Sequence, residues 1–298
     1  MFYTKVMNTH LTFITVLKWL FFSLLVTLNY SVNALQIGDK APNFKASTSQ
    51  GDIDFYEWSD KQWVILFSHP GDFTPVCTTE LATAALLQPE FKKRGVKLIG
   101  LSGDSLEDHM EWIPHINRFK NELIKKDNLI NNLIQSDQET DVNYPIIADE
   151  SLEIAAQYDM YHPLAYPNAN SLGNPLKETI RSVFVIDNDK KIKTILVYPK
   201  NIGRNFDEIL RIVDALQLSE KHNVSTPANW QPGDDVIVSN DIPLEDIKDK
   251  YDTKEVNFFE DYLKFIDQPE FFAGSERGKD RAKESLNKIV NQFSNLIS

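Results

Sequence analysis

Trp63-Val64-Ile65-Leu66-Phe67-Ser68-His69-Pro70-Gly71-Asp72-Phe73-Thr74-Pro75-Val76-Cys77-Thr78-Thr79-Glu80 is the stretch on which the fold turns. Its first six residues are mostly apolar and rich in β-formers, which predicts a buried strand. His69-Pro70-Gly71 is a turn signal that ends the strand. Beyond it Leu81, Leu86, Leu87 and Phe91 recur near helical spacing, with Thr74 or Thr78 available as the cap. A second strand is expected at Val96–Ser102 and a second helix from 105 to about 119. Strand, helix, strand, helix in that order predicts an α/β sheet with parallel strands.

Working outward, residues 120–143 are rich in Asn, Lys, Asp and Gln and read as a partly helical surface insertion. The core resumes with a strand at 144–148 and a short helix at 151–158, followed by a Pro/Asn/Gly loop at 163–176. Arg181–Ile186 and Ile192–Tyr198 flank the turn residues Asp187-Asn188-Asp189-Lys190 and predict a hairpin. Arg181 then begins a strand expected to lie beside the first one. Phe206, Ile209, Leu210, Val213 and Leu216 make 205–218 an amphipathic helix. Near Thr226 the composition shifts, and Pro227, Trp230, Pro232, Gly233 and Pro243 mark a smaller second module. Leu286, Ile289, Val290, Phe293, Leu296 and Ile297 form an apolar stripe on a final helix, expected to pack on its own domain or a subunit partner, with a membrane-surface helix the alternative. There is no internal repeat.

The formal net charge of the 298 residues is −12, and no Lys/Arg cluster stands ready to neutralise phosphates, so a nucleic-acid partner is not expected. Residues 1–34 carry Lys5 and Lys18 and no acid. A short apolar run, Trp19 to Leu28, precedes small residues ending at Ala34, the layout of a cleaved secretory signal. A membrane anchor and an organelle-targeting presequence are the alternatives. The anchor would place Lys18 near mid-bilayer, at about 2.5–3.5 kcal/mol. Asn223-Val224-Ser225 fits a glycosylation sequon, a triplet that chance often produces.

The chain has one cysteine, so it forms no intramolecular disulfide. A lone cysteine is commonly a small buried hydrophobe, but here two prolines and a threonine surround it at the start of a helix. The thiolate is the nucleophile. Helix N–H groups and the macrodipole favour an anion at Cys77, and Arg181 offers an always-charged fork of donors. Ionisation alone gains only some tens of fold, and nucleophilicity falls as the thiol becomes more acidic. These residues suit attack on a peroxide, for which the remaining acceleration must come from aligning the O–O bond and stabilising the leaving oxygen. Thr74 supplies a hydroxyl that both donates and accepts. Pro70 has no N–H and covers the sulfur without competing polarity. The whole reading requires Arg181 to lie near the sulfur and a small oxidant to reach it.

Pro70-xxx-Thr74-xx-Cys77 resembles the active-site signature of the peroxiredoxins, and the phrase from Phe67 to Glu80 resembles their one-cysteine class. So do Asp104-Ser105-Leu106-Glu107-Asp108-His109, Tyr198-Pro199, the run from Gly203 to Arg211, and Thr226-Pro227-Ala228-Asn229-Trp230. The blocks run in order from about Ile37 to Phe265. The resemblance implies an α/β, thioredoxin-like fold (35–222) and a smaller C-terminal peroxiredoxin dimerisation domain (223–268); the helical extension (269–298), the leader and the 120–143 insertion depart from the usual pattern. It implies a thiol peroxidase in which Cys77 attacks hydrogen peroxide or an organic hydroperoxide and becomes a sulfenic acid. Thr74 and Arg181 would hold the peroxide oxygens and Pro70 would shield the sulfur. His69 would be a hydrogen-bonding neighbour, Glu80 would orient the arginines, and Arg204 would be the second arginine. Without a second cysteine, an external thiol such as glutathione or a redox protein must reduce the sulfenic acid. A homodimer is implied, and no cofactor. The six histidines are scattered without metal-ligand spacing, so no metal is expected.

Some members of this class also carry phospholipase A2 activity on a Gly-x-Ser-x-Gly element before the first core strand. Here the serine position is Gln62 and the histidine position is Tyr56, so that activity is not expected. The other function considered is a redox-sensing or chaperone-like oligomer with little turnover.

Overall fold

Strand β3 (Trp63–Ser68) is buried along its whole length because both of its faces are covered. Trp63, Ile65 and Phe67 point into one apolar cluster, and Val64 and Leu66 into another on the opposite side. A strand buried on two faces has no polar side to show, hence its continuous apolar run. The computed structural model describes residues 34–126, 141–160, 178–253 and 256–270. The leader, the 163–176 loop, the terminal stripe and most of the 120–143 insertion lie outside these residues.

In chain order the elements are β1 (Lys45–Thr48), β2 (Gly51–Asp54), α1 (Phe55–Ser59), β3, α2 (Pro75–Lys93), β4 (Val96–Ser102), α3 (Leu106–Lys126), β5 (Ile146–Ala148), α4 (Glu153–Gln157), β6 (Arg181–Ile186), β7 (Ile192–Tyr198) and α5 (Phe206–His222). There follow β8 (Val224–Ser225), β9 (Val236–Val238), α6 (Leu244–Tyr251), β10 (Val256–Glu260) and β11 (Leu263–Ile266). The main sheet has seven strands in the order β2-β1-β5-β4-β3-β6-β7, and a second sheet runs β10-β11-β9-β8.

The sheet is mixed, as the parallel strands and the hairpin expected from sequence together require. β3, β4 and β5 are parallel, but β6 runs antiparallel to β3, and β7 and the β1–β2 hairpin add further antiparallel pairs. The register Phe67↔Val183 sends Arg181 past the C-terminal end of β3, where the Cys77 loop begins. At about 3.3 Å per residue, a parallel β6 would have left Arg181 at the far end of the sheet.

Three helix boundaries also differ. α3 continues to Lys126, so the first seven residues of the proposed insertion belong to it. Lys120 is held inside by an ion pair with Asp141, which explains a lysine at a buried position of an otherwise polar stretch. α4 is shorter than 151–158. Leu152 sits at its N-cap in the left-handed region, and Asp149 instead receives the Ile154 and Ala155 N–H groups at 3.2 and 2.7 Å. α5 runs four residues beyond Leu218. Asn205 accepts from the Asp207 and Glu208 N–H groups at its start, and Asn223 closes it in the left-handed region.

The second sheet has its own core of Leu218, Val224, Trp230, Val236, Val238, Ile242, Ile247 and Ile266. Trp230 anchors it, and its indole N–H donates to the Asp234 carbonyl at 3.0 Å.

Candidate active site

The site forms where β3 ends and α2 begins. Pro70 is buried in the turn, and Phe73 has φ of 54°, a left-handed conformation that costs a bulky residue of order 1–3 kcal/mol. Phe73 is held there by ring contacts to Trp112 at 6.2 Å and His115 at 5.6 Å. Thr74 occupies the N-cap position of α2, with Pro75 beginning the helix, but its hydroxyl caps nothing. It donates to the Gly71 carbonyl at 2.9 Å, and the Thr78 hydroxyl turns back to the Thr74 carbonyl at 2.8 Å. The helix tip beside Cys77 is therefore left without a side-chain cap, and its dipole faces the site.

Cys77, Glu80, Leu81, Ala84 and Ala85 fall on the buried face of α2. Arg181 Nη1 lies 3.3 Å from Cys77 Sγ and 2.6 Å from Glu80 Oε2, and Arg181 Nε donates to the Lys200 carbonyl at 2.8 Å. Glu80 is a fork between two guanidiniums. Arg204 reaches it with its backbone N–H (2.7 Å), Nε (2.9 Å) and Nη2 (2.6 Å). Arg204 Nη1 also donates to the Ser68 and Ser182 carbonyls, and its guanidinium lies over the rings of Phe67 and Phe206 at 5.2 and 5.8 Å. Burial pushes the Glu80 carboxyl up. The Arg204 charge and hydrogen bonds, with Arg181, outweigh burial and hold it below the ordinary carboxyl range.

His69 is buried and its Nε2 pairs with Asp72 Oδ1 at 2.8 Å. Asp72 Oδ2 pairs with His109 Nδ1 at 2.6 Å, and the Asp72 N–H donates to Asp104 Oδ2 at 2.9 Å. Burial raises Asp72, but the two histidines outweigh it and leave Asp72 low. Burial lowers His109, and the Asp72 bond and charge outweigh it, holding His109 above the ordinary imidazole value. Burial and the Asp72 charge push Asp104 up. His69, Asp72 and Asp104 offer three ligand atoms within 4.8 Å of one another, while His69 Nε2, both Asp72 oxygens and Asp104 Oδ2 are engaged in hydrogen bonds within this network.

Cys77, Glu80, Arg181 and Arg204 are thus joined directly. Thr74, Pro70 and His69 lie on the adjoining loop, and Thr179 fastens that loop by donating to the His69 carbonyl at 2.7 Å. One requirement of the sequence reading is met only in part. Cys77 has no exposed surface, whereas Thr74, Pro75 and Val76 beside it are partly or fully exposed. Asp72, Asp104 and His109 were given no role from sequence. Two histidines and two aspartates inside the family-like blocks were the available signal, but only folding brings residue 109 to residue 72.

The AhpC/TSA family model matches residues 37–195, and that of the C-terminal domain of 1-Cys peroxiredoxin matches 215–254. The mitochondrial peroxiredoxin PRX1 of Saccharomyces cerevisiae is 46% identical over 231 residues, 78% of this chain and 80% of that protein. Human peroxiredoxin-6 is 44% identical over 239 residues, 79% of this chain and 98% of that protein. A solved structure of a yeast mitochondrial 1-Cys peroxiredoxin, concerned with thiol resolution through the glutathione and thioredoxin systems, is 42% identical. It covers 78% of this chain and 99% of its own, with a TM-score of 0.64.

These similarities overturn the secretory expectation for residues 1–34, because the named relatives are a mitochondrial protein and a peroxiredoxin-6. A basic, acid-free leader with an apolar run suits an organelle presequence as well as a secretory signal, and composition alone does not separate them. Among the described residues no helix is long and apolar enough to cross a membrane.

Proposed function

The chain belongs to the AhpC/TSA family as a one-cysteine peroxiredoxin, a thiol-reduced peroxidase with one peroxidatic cysteine, and from that premise we propose how its residues share the work. The observation that carries the assignment is the guanidinium nitrogen of Arg181 at 3.3 Å from the only sulfur able to react as a thiolate. The Cys77 thiolate attacks the terminal oxygen of R–O–O–H. An S–O bond forms and the O–O bond breaks. Sulfur loses two electrons to the peroxide, leaving Cys–S–OH and RO⁻, which takes a proton to become water or an alcohol.

Arg181 donates to the peroxide oxygens and to the developing negative charge, a stabilisation worth most in a dry site. The Thr74 hydroxyl has committed its proton to Gly71, so its lone pairs accept the O–H of the hydroperoxide. Donor on one side and acceptor on the other orient the O–O bond. Pro70 closes the pocket against water. Glu80 holds both guanidiniums in place, and Arg204 ties Glu80 to the end of β3.

Two external thiols complete the cycle: one forms a mixed disulfide with release of water, and the second frees Cys77. Glutathione and a thioredoxin-type protein are the proposed reductants. Steady-state hydrogen peroxide consumption with each reductant tests this. Sustained turnover is expected with at least one, and a single stoichiometric oxidation with neither supporting a second cycle would defeat it. Run in parallel, phospholipid hydrolysis should stay at background, since Gln62 and Tyr56 stand where the hydrolase would need serine and histidine.

The domain limits 35–222 and 223–268 and a homodimer are part of this proposal. β7 is an edge strand of the main sheet; Gly38 and Asp39 bond to its first residue, Ile192, and beyond Ile192 no described strand pairs with its outer side. Val197 on it is 60% exposed and Ile202 just beyond it is 48% exposed. Val197→Asp should shift the sedimentation-equilibrium mass from two chains towards one. A wild-type mass of one chain at micromolar concentration would end the dimer proposal.

A further inference from the structure

A second, buried network surrounds the loop between β3 and α2, and its central members have no part in the chemistry above. Asp72 Oδ1 faces His69 Nε2 at 2.8 Å and Oδ2 faces His109 Nδ1 at 2.6 Å. His109 Nε2 faces the Ile147 carbonyl at 3.1 Å. Asp104 Oδ2 accepts both the Asp72 N–H at 2.9 Å and the Ser102 hydroxyl at 2.8 Å. His69, Asp72 and His109 are all buried.

The proton positions follow from the partners. A carbonyl oxygen only accepts, and so does a carboxylate. A ring held between the two must donate from both nitrogens, so His109 is an imidazolium. Asp72 answers that charge as a carboxylate, and its other oxygen receives the Nε2–H of His69. His69 Nδ1 is buried and has no hydrogen-bond partner among the described residues. A proton there would be a buried, charged donor without an acceptor, the costlier state. His69 is therefore neutral, and its Nδ1 lone pair remains open as an acceptor.

We propose that Asp72 and His109 are positioning residues of the peroxidase site: together they fix the Nε2–H tautomer of His69 and clamp the loop that carries Pro70 and Thr74. His109, from α3, holds one carboxylate oxygen with a fixed charge. The other oxygen then has a single use, which is to orient His69. The Asp72 backbone, bonded to Asp104, fastens the loop to the end of β4. The Nδ1 lone pair is thereby left open to accept a hydrogen bond. The inference rests on the peroxidase reading and extends it to two residues that touch neither the sulfur nor Arg181.

The test uses the full-length protein, ring-nitrogen NMR and hydrogen peroxide kinetics. In the wild type at pH 7.5, both His109 nitrogens should carry protons, because Asp72 and Asp104 face the ring with negative charge, and His69 should show Nε2–H alone. In Asp72→Asn the imidazolium keeps the amide oxygen and the amide N–H₂ turns to His69, which must move its proton to Nδ1. Inverting the tautomer of a histidine in this way is severe in other enzymes. Here kcat/KM is expected to fall on the order of tenfold to a hundredfold, and His109→Gln by a smaller factor.

A purely structural role would lower the melting temperature without changing the His69 tautomer in folded protein. A His69 signal unchanged in Asp72→Asn, with a rate within about twofold of wild type, would overturn the proposal. So would a singly protonated His109 in the wild type, an observation available even if neither variant folds. A wild type that shows the expected ring protons yet consumes no peroxide would instead defeat the peroxidase reading and leave the proton arrangement standing.

Discussion

Cys77→Ser will leave a folded protein that no longer consumes hydrogen peroxide. A serine hydroxyl is almost wholly un-ionised at neutral pH and is a poor nucleophile towards oxygen, so the rate should fall by at least about a thousandfold. The fold should survive. Serine is close to cysteine in size, and Arg181 Nη1, 3.3 Å from Sγ, gives the buried hydroxyl an immediate partner. Stability should change by no more than about 1–2 kcal/mol, measured by urea unfolding. Residual turnover above a tenth of wild type would mean that Cys77 is not the reacting group. Because the sulfur has no exposed surface, a companion measurement is informative: hydrogen peroxide should oxidise native Cys77 much faster, relative to free cysteine, than a bulky thiol reagent alkylates it. Equal relative rates would show an open sulfur and contradict the buried arrangement.

Glu80→Gln should harm stability and rate together. Among the described residues Glu80 is the only carboxylate bonded to both Arg181 and Arg204, and all three side chains are at least 98% buried. Removing its charge leaves two guanidiniums uncompensated, which should cost about 3–5 kcal/mol. Arg181 keeps its bond to the Lys200 carbonyl but loses the partner that sets its angle to the sulfur. Peroxidase kcat/KM should drop on the order of tenfold to a hundredfold. The sign with pH is fixed by the depressed Glu80 carboxyl. Its contribution is fully present above the ordinary carboxyl value of about 4.5 and is lost as pH falls through the lower folded value. The stability gap between wild type and Glu80→Gln should therefore be constant from pH 5 to 8 and shrink below about 4.5. A gap that persists unchanged at pH 3 would show that the charge of Glu80 is not what holds the arginines.

Several elements were legible because their signals are local. The β6–β7 hairpin has the predicted limits, since its two apolar runs and the Asp187–Lys190 turn are neighbours in sequence. The β1–β2 hairpin and the strands of the second sheet were missed because they are two to five residues long and several are partly exposed, leaving no periodicity to read. α3 was cut short at residue 119 because the polar composition beyond it concealed a buried lysine. Of the two candidate caps, Thr74 and Thr78, Thr74 occupies the N-cap position of α2, yet its hydroxyl serves Gly71 instead, a choice made by the tight turn before it.

The amino-acid order alone fixed the reactive sulfur, its place at a helix start, the absence of a second thiol and the strand that precedes it, because each depends on residues within about a dozen positions. Tertiary structure decided which charges meet that sulfur. Arg181 is 104 residues from Cys77, and Arg204 is 124 from Glu80. They converge because β6 pairs with β3 head to tail, and Asp72 meets His109 because α3 packs over the loop. Strand direction and buried hydrogen bonding are set by the packing of the whole core, so no short window of sequence contains them.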